Sequence, residues 1–202
     1  MREEITKHFQ AKDLILFGYL KRVGLIEDLQ GDMPKNYFFR ICKEIVGQQL
    51  SSKAGHAIFA RFKNIFPKGI ICPEAVLATS HETLRNSGIS HAKARYVRNL
   101  AESVVSGNLD FKNFKKLDNE QIVEKLTKVK GIGPWTAQMF LMFTMGREDV
   151  FSPGDLGLRK AIKKVYKLKK EPSKQQIEKI VSQWSPYKTY GCMALWGIMD
   201  LK

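Results

Sequence analysis

Asp155 and the residues around it carry the first sign of chemistry in this 202-residue chain. In Phe151-Ser152-Pro153-Gly154-Asp155 the proline and glycine mark a turn, and the aspartate falls at the start of the helix that follows. Aspartate is a favoured N-cap, so capping alone accounts for it. The chemical reading is a carboxylate fixed where a helix dipole favours negative charge. Such a group can steady a sugar that turns cationic as its base departs, or activate the water that attacks it. The helix behind it carries Arg159, Lys160, Lys163, Lys164 and Lys167, with Lys169 and Lys170 beyond, and no acid interrupts until Glu171. That run reads equally as a solvated face or as phosphate contacts, with Arg159, Lys160 and Lys163 the first candidates.

Upstream lies Leu126-Thr127-Lys128-Val129-Lys130-Gly131-Ile132-Gly133-Pro134-Trp135-Thr136-Ala137. Ile122, Val123, Leu126 and Val129 make an apolar stripe at helical spacing. Gly131 and Gly133 permit a sharp turn or a close approach, and Pro134 suits the first position of a new helix. The N–H groups of Gly133, Trp135 and Thr136 then have no partner within that helix and form a small positive site for a phosphate. A glycine turn between helices is also common with no ligand at all. A hairpin that grips through its backbone reads no base sequence, and its carbonyls can chelate a monovalent cation. Trp135 and Trp196 are indoles of the kind that usually fill cores. They are also flat walls on which a base rotated out of a duplex can stack. A cationic alkylated purine would gain about 0.5–2 kcal/mol from such a face.

The charge balance supports a polyanionic partner. With 34 Lys and Arg against 20 Asp and Glu, the formal charge is +14, which puts nucleic acid or an anionic surface first. An apolar fraction of 44% suffices for a packed core. No apolar run approaches the roughly 20 residues that span a bilayer, so no membrane partner is expected, and Met1-Arg2-Glu3-Glu4 does not open a signal segment. Cys42, Cys72 and Cys192 are odd in number and far apart. They fit a reducing compartment, cytoplasm with its nucleoid or a nucleus, and argue against a disulfide framework. They are also too few for a four-cysteine iron–sulfur cluster. His56, His81 and His91 offer no metal spacing, and Arg95 and Arg98 read as phosphate contacts or as solvated surface.

The elements that must position these residues are helices. Phe38, Ile41, Ile45 and Val46 line one face, and Ala54, Ile58, Phe59 and Phe62 line the next, behind a cap at Ser51. Pro73 starts another helix, and Val97, Leu100, Ala101 and Val104 stripe a longer one. The run from Pro134 to Met145 is apolar nearly all round and predicts a central, buried helix. Leu158, Ile162, Val165 and Tyr166 give a later amphipathic helix. Ser173 with Gln176 resembles a capping box before Ile177, Ile180, Val181 and Trp184, and a last helix carries Tyr190, Met193, Ala194 and Ile198. No strand alternation is visible, so the fold class is all-α.

The hairpin from Leu126 to Ala137, followed by Pro153-Gly154-Asp155, resembles the helix-hairpin-helix superfamily of DNA glycosylases, and within it the 3-methyladenine DNA glycosylase II branch. Ile45-Val46-Gly47-Gln48-Gln49-Leu50-Ser51 is similar to the family's early signature. Leu84-Arg85-Asn86-Ser87-Gly88-Ile89-Ser90 with Lys93-Ala94-Arg95 is similar to its central one, and Trp184-Ser185-Pro186-Tyr187-Lys188-Thr189-Tyr190 through Leu195-Trp196 to its closing one. The resemblance implies a two-lobed helical bundle with the active site in a cleft between the lobes. Residues 38–147, with the hairpin at 126–137, would form one lobe. Residues 1–37 with 148–202 would form the second, which carries the catalytic Asp155. Trp135, Met139 and Trp196 would line the base pocket. Gln49, or Leu50 if the register slips by one, would be the wedge that fills the gap left by the extruded nucleotide. Gly131, Gly133, Trp135 and Thr136 would hold the DNA backbone, and the carbonyls of Thr127, Val129 and Ile132 would ligate Na+ or K+. No other cofactor is implied.

Two departures from the family pattern are informative. Members that also cut the strand carry a lysine two residues past the second hairpin glycine; this chain has Trp135 there, and Lys130 lies on the wrong side of the turn. The resemblance therefore implies a monofunctional enzyme that uses water, acting as a monomer on double-stranded DNA with alkylated purines such as 3-methyladenine. Larger relatives begin with a β-rich domain, and the 37 residues ahead of Phe38 predict a compact form without it. Two alternatives stay open: a DNA-binding module without catalysis, and a glycosylase for uracil, hypoxanthine or mismatched bases.

Overall fold

The computed structural model describes residues 2–23 and 28–200, and every regular element in them is helical. In chain order these are α1 (Glu3–Lys12), α2 (Leu14–Val23), α3 (Tyr37–Gly47), α4 (Ser52–Asn64), α5 (Pro73–Ala78), α6 (His81–Asn86), α7 (His91–Val105), α8 (Asn119–Thr127), α9 (Pro134–Met139), α10 (Leu156–Val165), α11 (Lys174–Ser182) and α12 (Lys188–Asp200). Their starts follow from side-chain chemistry. Ser51, Ser80 and Ser90 each accept a hydrogen bond from the backbone N–H three residues on. Asp118 with Gln121 and Ser173 with Gln176 form complete capping boxes. Pro73 and Pro134 occupy first turns, where a missing N–H costs nothing.

The chain divides into two compact units, Asp32–Phe140 and Met1–Gly31 with Leu141–Lys202. The division falls at 32 and 140, against 38 and 147 in the sequence reading, for local reasons. The Asp32 carboxylate accepts from Asn36 Nδ2 at 2.8 Å and pairs with Arg40 of α3, which binds the approach segment to that helix. The Arg147 N–H donates to the Leu141 carbonyl at 3.0 Å, which draws 141–147 into one turn of chain.

In the contiguous unit the apolar stripes meet. Phe38, Ile41, Ile45 and Val46 of α3 are buried, as are Phe62 of α4, Val97, Leu100 and Ala101 of α7, and Ile122 and Leu126 of α8. Tyr37 adds an aromatic centre, meeting Phe140 edge-on at 5.1 Å and Phe111 at 5.9 Å. The helix expected from Pro134 to Met145 needs correction. Regular α-geometry ends at Met139, and Phe140–Thr144 forms a π-helical turn. The wider turn rotates the residues after it, so Phe143 keeps 43% of its surface exposed instead of joining the core.

The other unit is centred on Asp13, a residue with no signal in the sequence. It lies between α1 and α2 and is 5% exposed. Its Oδ1 accepts the Leu16 N–H at 2.9 Å. Its Oδ2 accepts Trp184 Nε1 at 2.8 Å, Gln183 Nε2 at 3.0 Å and the Tyr166 hydroxyl. Burial and the Asp13 contact push the Tyr166 phenol far above its usual range, which keeps it a donor. Around this polar centre pack Ile5, Phe9, Leu16 and Leu20 from the N-terminal helices and Leu158, Ile162, Ile177, Val181 and Ile198 from the C-terminal ones. Asp13→Asn presents an amide N–H2 or a weaker acceptor to three side-chain donors; it is expected to lower the unfolding free energy by about 2–3 kcal/mol, read as a lower urea midpoint at unchanged slope.

Candidate active site

Asp155 is the N-cap of α10. Its Oδ1 accepts the Leu158 N–H at 2.8 Å and Trp196 Nε1 at 3.3 Å. The capping reading is therefore correct, and it is compatible with a chemical role. One oxygen is anchored by a backbone amide and an indole, so the carboxylate is oriented before any ligand arrives. Gly157 lies against this pair: a Cβ there would stand 3.1 Å from Asp155 Oδ1, a tight contact, and 3.5 Å from Trp196 Nε1, an ordinary one. Trp196 is half-buried, and its ring lies 5.8 Å from that of Phe143. The sequence reading assigned Trp196 a face and missed its N–H.

The hairpin lies in the contiguous unit. Leu126, Val129 and Ile132 are buried, and the Ile132 N–H donates to the Val129 carbonyl at 3.0 Å, closing the turn. The two glycines do different work. Gly131 has φ of 110°, and a Cβ there would stand 2.1 Å from the Tyr96 ring, so the fold itself demands glycine. Gly133 is the N-cap of α9 in an extended conformation open to any residue, and a Cβ there would meet nothing within 4 Å. Its side of the turn leaves room for a partner to reach the backbone. Trp135, next to Pro134, is 37% exposed. Met139, one turn on, is 5% exposed and belongs to the buried face of α9.

Beside the hairpin is the turn Gly47-Gln48-Gln49-Leu50, closed by the Leu50 N–H donating to the Gly47 carbonyl at 3.1 Å. Gln48 has φ −47° and ψ 133°, and Gln49 has φ of 57°, the positive value that a type II turn places at its third residue. Glycine is the usual occupant there. Gln49 and Leu50 are both exposed. The Gln48 side chain points the other way, its Nε2 donating to the Gly131 carbonyl at 3.2 Å and to Thr136 Oγ1 at 3.0 Å. Thr136, expected to contribute its backbone, thus also uses its buried side chain to join hairpin and turn. From α7, Lys93 Nζ donates to the carbonyls of Val46 and Gln48 at 2.8 and 2.7 Å, and Asn99 Nδ2 donates to the Lys130 carbonyl at 3.0 Å. Lys93, Tyr96 and Asn99 lie three residues apart on one helical face. That spacing was visible in the sequence, but nothing in it says what the face meets.

The remaining candidates sort as follows. Lys160 is exposed, Lys163 pairs with Glu171 at 3.4 Å, and Arg159 donates to the Pro172 carbonyl at 3.3 Å. Lys160, Lys163, Lys164 and Lys167 line one groove with Leu168 and Glu171. Arg95 is exposed. Arg98 is half-buried and donates to the Thr79 carbonyl at 2.7 Å. Cys42 and Cys192 are fully buried, and burial pushes both thiols well above the usual range. His81 and His91 stack on one another with nitrogens 3.2 Å apart. Among the described residues no three His, Cys, Asp or Glu side chains gather as a metal site, and no helix is long and apolar enough to cross a membrane.

The two hairpin glycines give opposite expectations. Gly131→Ala should cost more than about 2 kcal/mol through overpacking and a disfavoured φ. Gly133→Ala should cost no more than about 1 kcal/mol, the price of a poorer N-cap. Urea unfolding of both variants reads the difference.

Comparison with known proteins agrees with this geometry. Residues 42–186 match the family model described as HhH-GPD superfamily base excision DNA repair protein. The chain is 32% identical to DNA-3-methyladenine glycosylase 1 of Schizosaccharomyces pombe, over 99% of this chain and 92% of that protein. A DNA-3-methyladenine glycosidase from Bacillus halodurans superposes with a TM-score of 0.85 at 36% identity, covering 100% of this chain and 94% of the other. The S. pombe 3-methyladenine DNA glycosylase in complex with abasic DNA superposes with a TM-score of 0.89 at 31% identity, covering 98% and 97%. The chain belongs to the HhH-GPD superfamily of base excision DNA repair proteins.

Proposed function

We propose that this protein is a monofunctional DNA glycosylase that removes alkylated purines such as 3-methyladenine from double-stranded DNA and leaves an abasic site. The observation that carries the reading is Asp155, a carboxylate held by the Leu158 N–H and the Trp196 indole at the head of α10. The relatives named 3-methyladenine glycosylases, one of them bound to abasic DNA, support the same chemistry.

The mechanism follows from the residues. An alkylated purine is already cationic, so its glycosidic bond is weak and little acid catalysis is needed. As the bond lengthens, positive charge develops on the sugar, and Asp155 stabilises it and orients the attacking water. Because the carboxylate is held in place beforehand, little reorganisation opposes the step. Trp196, whose N–H is committed to Asp155, offers its face to the base, and Trp135 is the second indole assigned to stacking. The backbone at Gly131, Gly133, Trp135 and Thr136 takes phosphate oxygens. Trp135 occupies the position where strand-cutting relatives carry lysine, so no Schiff base forms.

A monovalent cation suits the carbonyls of Thr127, Val129 and Ile132. Val129 O already takes the Ile132 N–H, and a carbonyl's second lone pair remains for an ion. Bound there, Na+ or K+ would add positive charge to the phosphate-binding turn. One subunit carries every residue named, so a monomer suffices for the chemistry.

Asp155→Asn should bind lesion DNA like the parent while releasing free base about 10²–10³-fold more slowly, measured as single-turnover release of 3-methyladenine; unaltered release would remove Asp155 from its role. Borohydride should trap no protein–DNA adduct. Lys160→Glu with Lys163→Glu should reduce the slope of log K against log salt by about 2, and an unchanged slope would show these lysines to be solvated surface.

A further inference from the structure

We propose that Lys93 is a positioning residue for base extrusion: it holds the Gly47–Leu50 turn in the strained form that projects Gln49 as the wedge. The inference rests on the glycosylase reading and deepens it.

The argument begins with the cost of the turn. Gln49 has φ of 57°, where an L side chain is disfavoured and glycine is not. A turn with glutamine at that position persists where the surroundings over-determine the backbone. Lys93 supplies the determination. Its ammonium donates to the carbonyls of Val46 and Gln48, one on each side of Gly47, at 2.8 and 2.7 Å. Charged donors make the stronger class of hydrogen bond, and partial burial strengthens them further while lowering the Lys93 pKa. Ser90 caps α7 and bonds the Lys93 N–H at 3.2 Å, so the lysine emerges from a fixed first turn. Gln48 completes the frame by tying the same turn to Gly131 O and Thr136 Oγ1 of the hairpin. Both partners thus grip the backbone just ahead of Gln49, the Leu50 N–H closes the turn behind it on the Gly47 carbonyl, and the exposed Gln49 side chain is left as the projecting part.

A wedge acts on stacking, not on the glycosidic bond, and this separates a positioning role from a merely structural one. 7-Methylguanine is placed either paired in a duplex or in a single-nucleotide bulge, where it is already loosely stacked. Lys93→Met is expected to slow single-turnover release from the duplex by about 10- to 100-fold, as misplacement of an oriented group does, and to leave release from the bulge essentially unchanged. Lys93→Arg, which keeps charged donors, should restore duplex activity. Gln49→Gly relieves the strained φ, so its Tm should rise by about 2–4 °C while duplex release falls; adding Lys93→Met to it should cause no further loss. Equal slowing on both substrates, or no slowing on the duplex, overturns the proposal. If Lys93→Met does not fold, Lys93→Gln is read by the same two substrates. Fluorescence of 2-aminopurine beside the lesion reports unstacking without chemistry. A parent protein that raises this fluorescence but releases no base would refute the glycosylase reading and leave the wedge assignment standing; failure of Lys93→Met to reduce the rise would refute the wedge assignment alone.

Discussion

The Lys93 ammonium on the carbonyls of Val46 and Gln48 sets what the contiguous unit can present. A backbone carbonyl facing inward without a donor is costly, and a turn with a glutamine at positive φ has competing conformations of lower energy. One cation removes both difficulties. The same face of α7 continues to Tyr96, whose ring excludes any side chain at Gly131, and to Asn99, which binds the Lys130 carbonyl. Hairpin and turn are therefore shaped by a rigid helix rather than by their own short-range preferences. Positions on loops become precise when the loops are clamped by regular elements.

The discontinuous unit applies a similar economy to a carboxylate. Asp155 satisfies α10 as its cap and is simultaneously fixed by Trp196 from α12. Capping and reactivity are often weighed as rival explanations of an aspartate at a helix start. Here the cap supplies orientation, and the second donor comes from a residue 41 positions away.

Most helices were legible because burial follows period. Phe38, Ile41, Ile45 and Val46, Val97, Leu100 and Ala101, and Ile177 and Val181 are buried as their spacing requires, Val104 and Ile180 at the edges of their stripes are half-buried, and the caps at Ser51 and Ser173 are in place. Asp155 was legible as a cap, and Gly131 as a turn. Three things were not. The π turn after Met139 has no composition signal, since Phe140–Thr144 reads as ordinary apolar helix. Asp13 is one acid among 20, and its four donors come from residues as distant as Trp184. Lys93, Tyr96 and Asn99 share a face in any helix, but the carbonyls and the glycine they meet belong to segments up to 47 residues away. Periodicity reports which side of an element is buried and is silent on polar partners that arrive from elsewhere in the chain.

Asp13 binds side chains 170 and 171 residues downstream, and the unit it organises is assembled from both ends of the polypeptide. Residues 32–140 are contiguous and emerge from a ribosome ready to close. Helices α1 and α2 have no such option. Their buried side chains Ile5, Phe9, Leu16 and Leu20 are made before α11 and α12 and stay uncovered by them until those helices are synthesised. A nascent chain thus carries an adhesive, half-built unit for as long as residues 32–140 are being made.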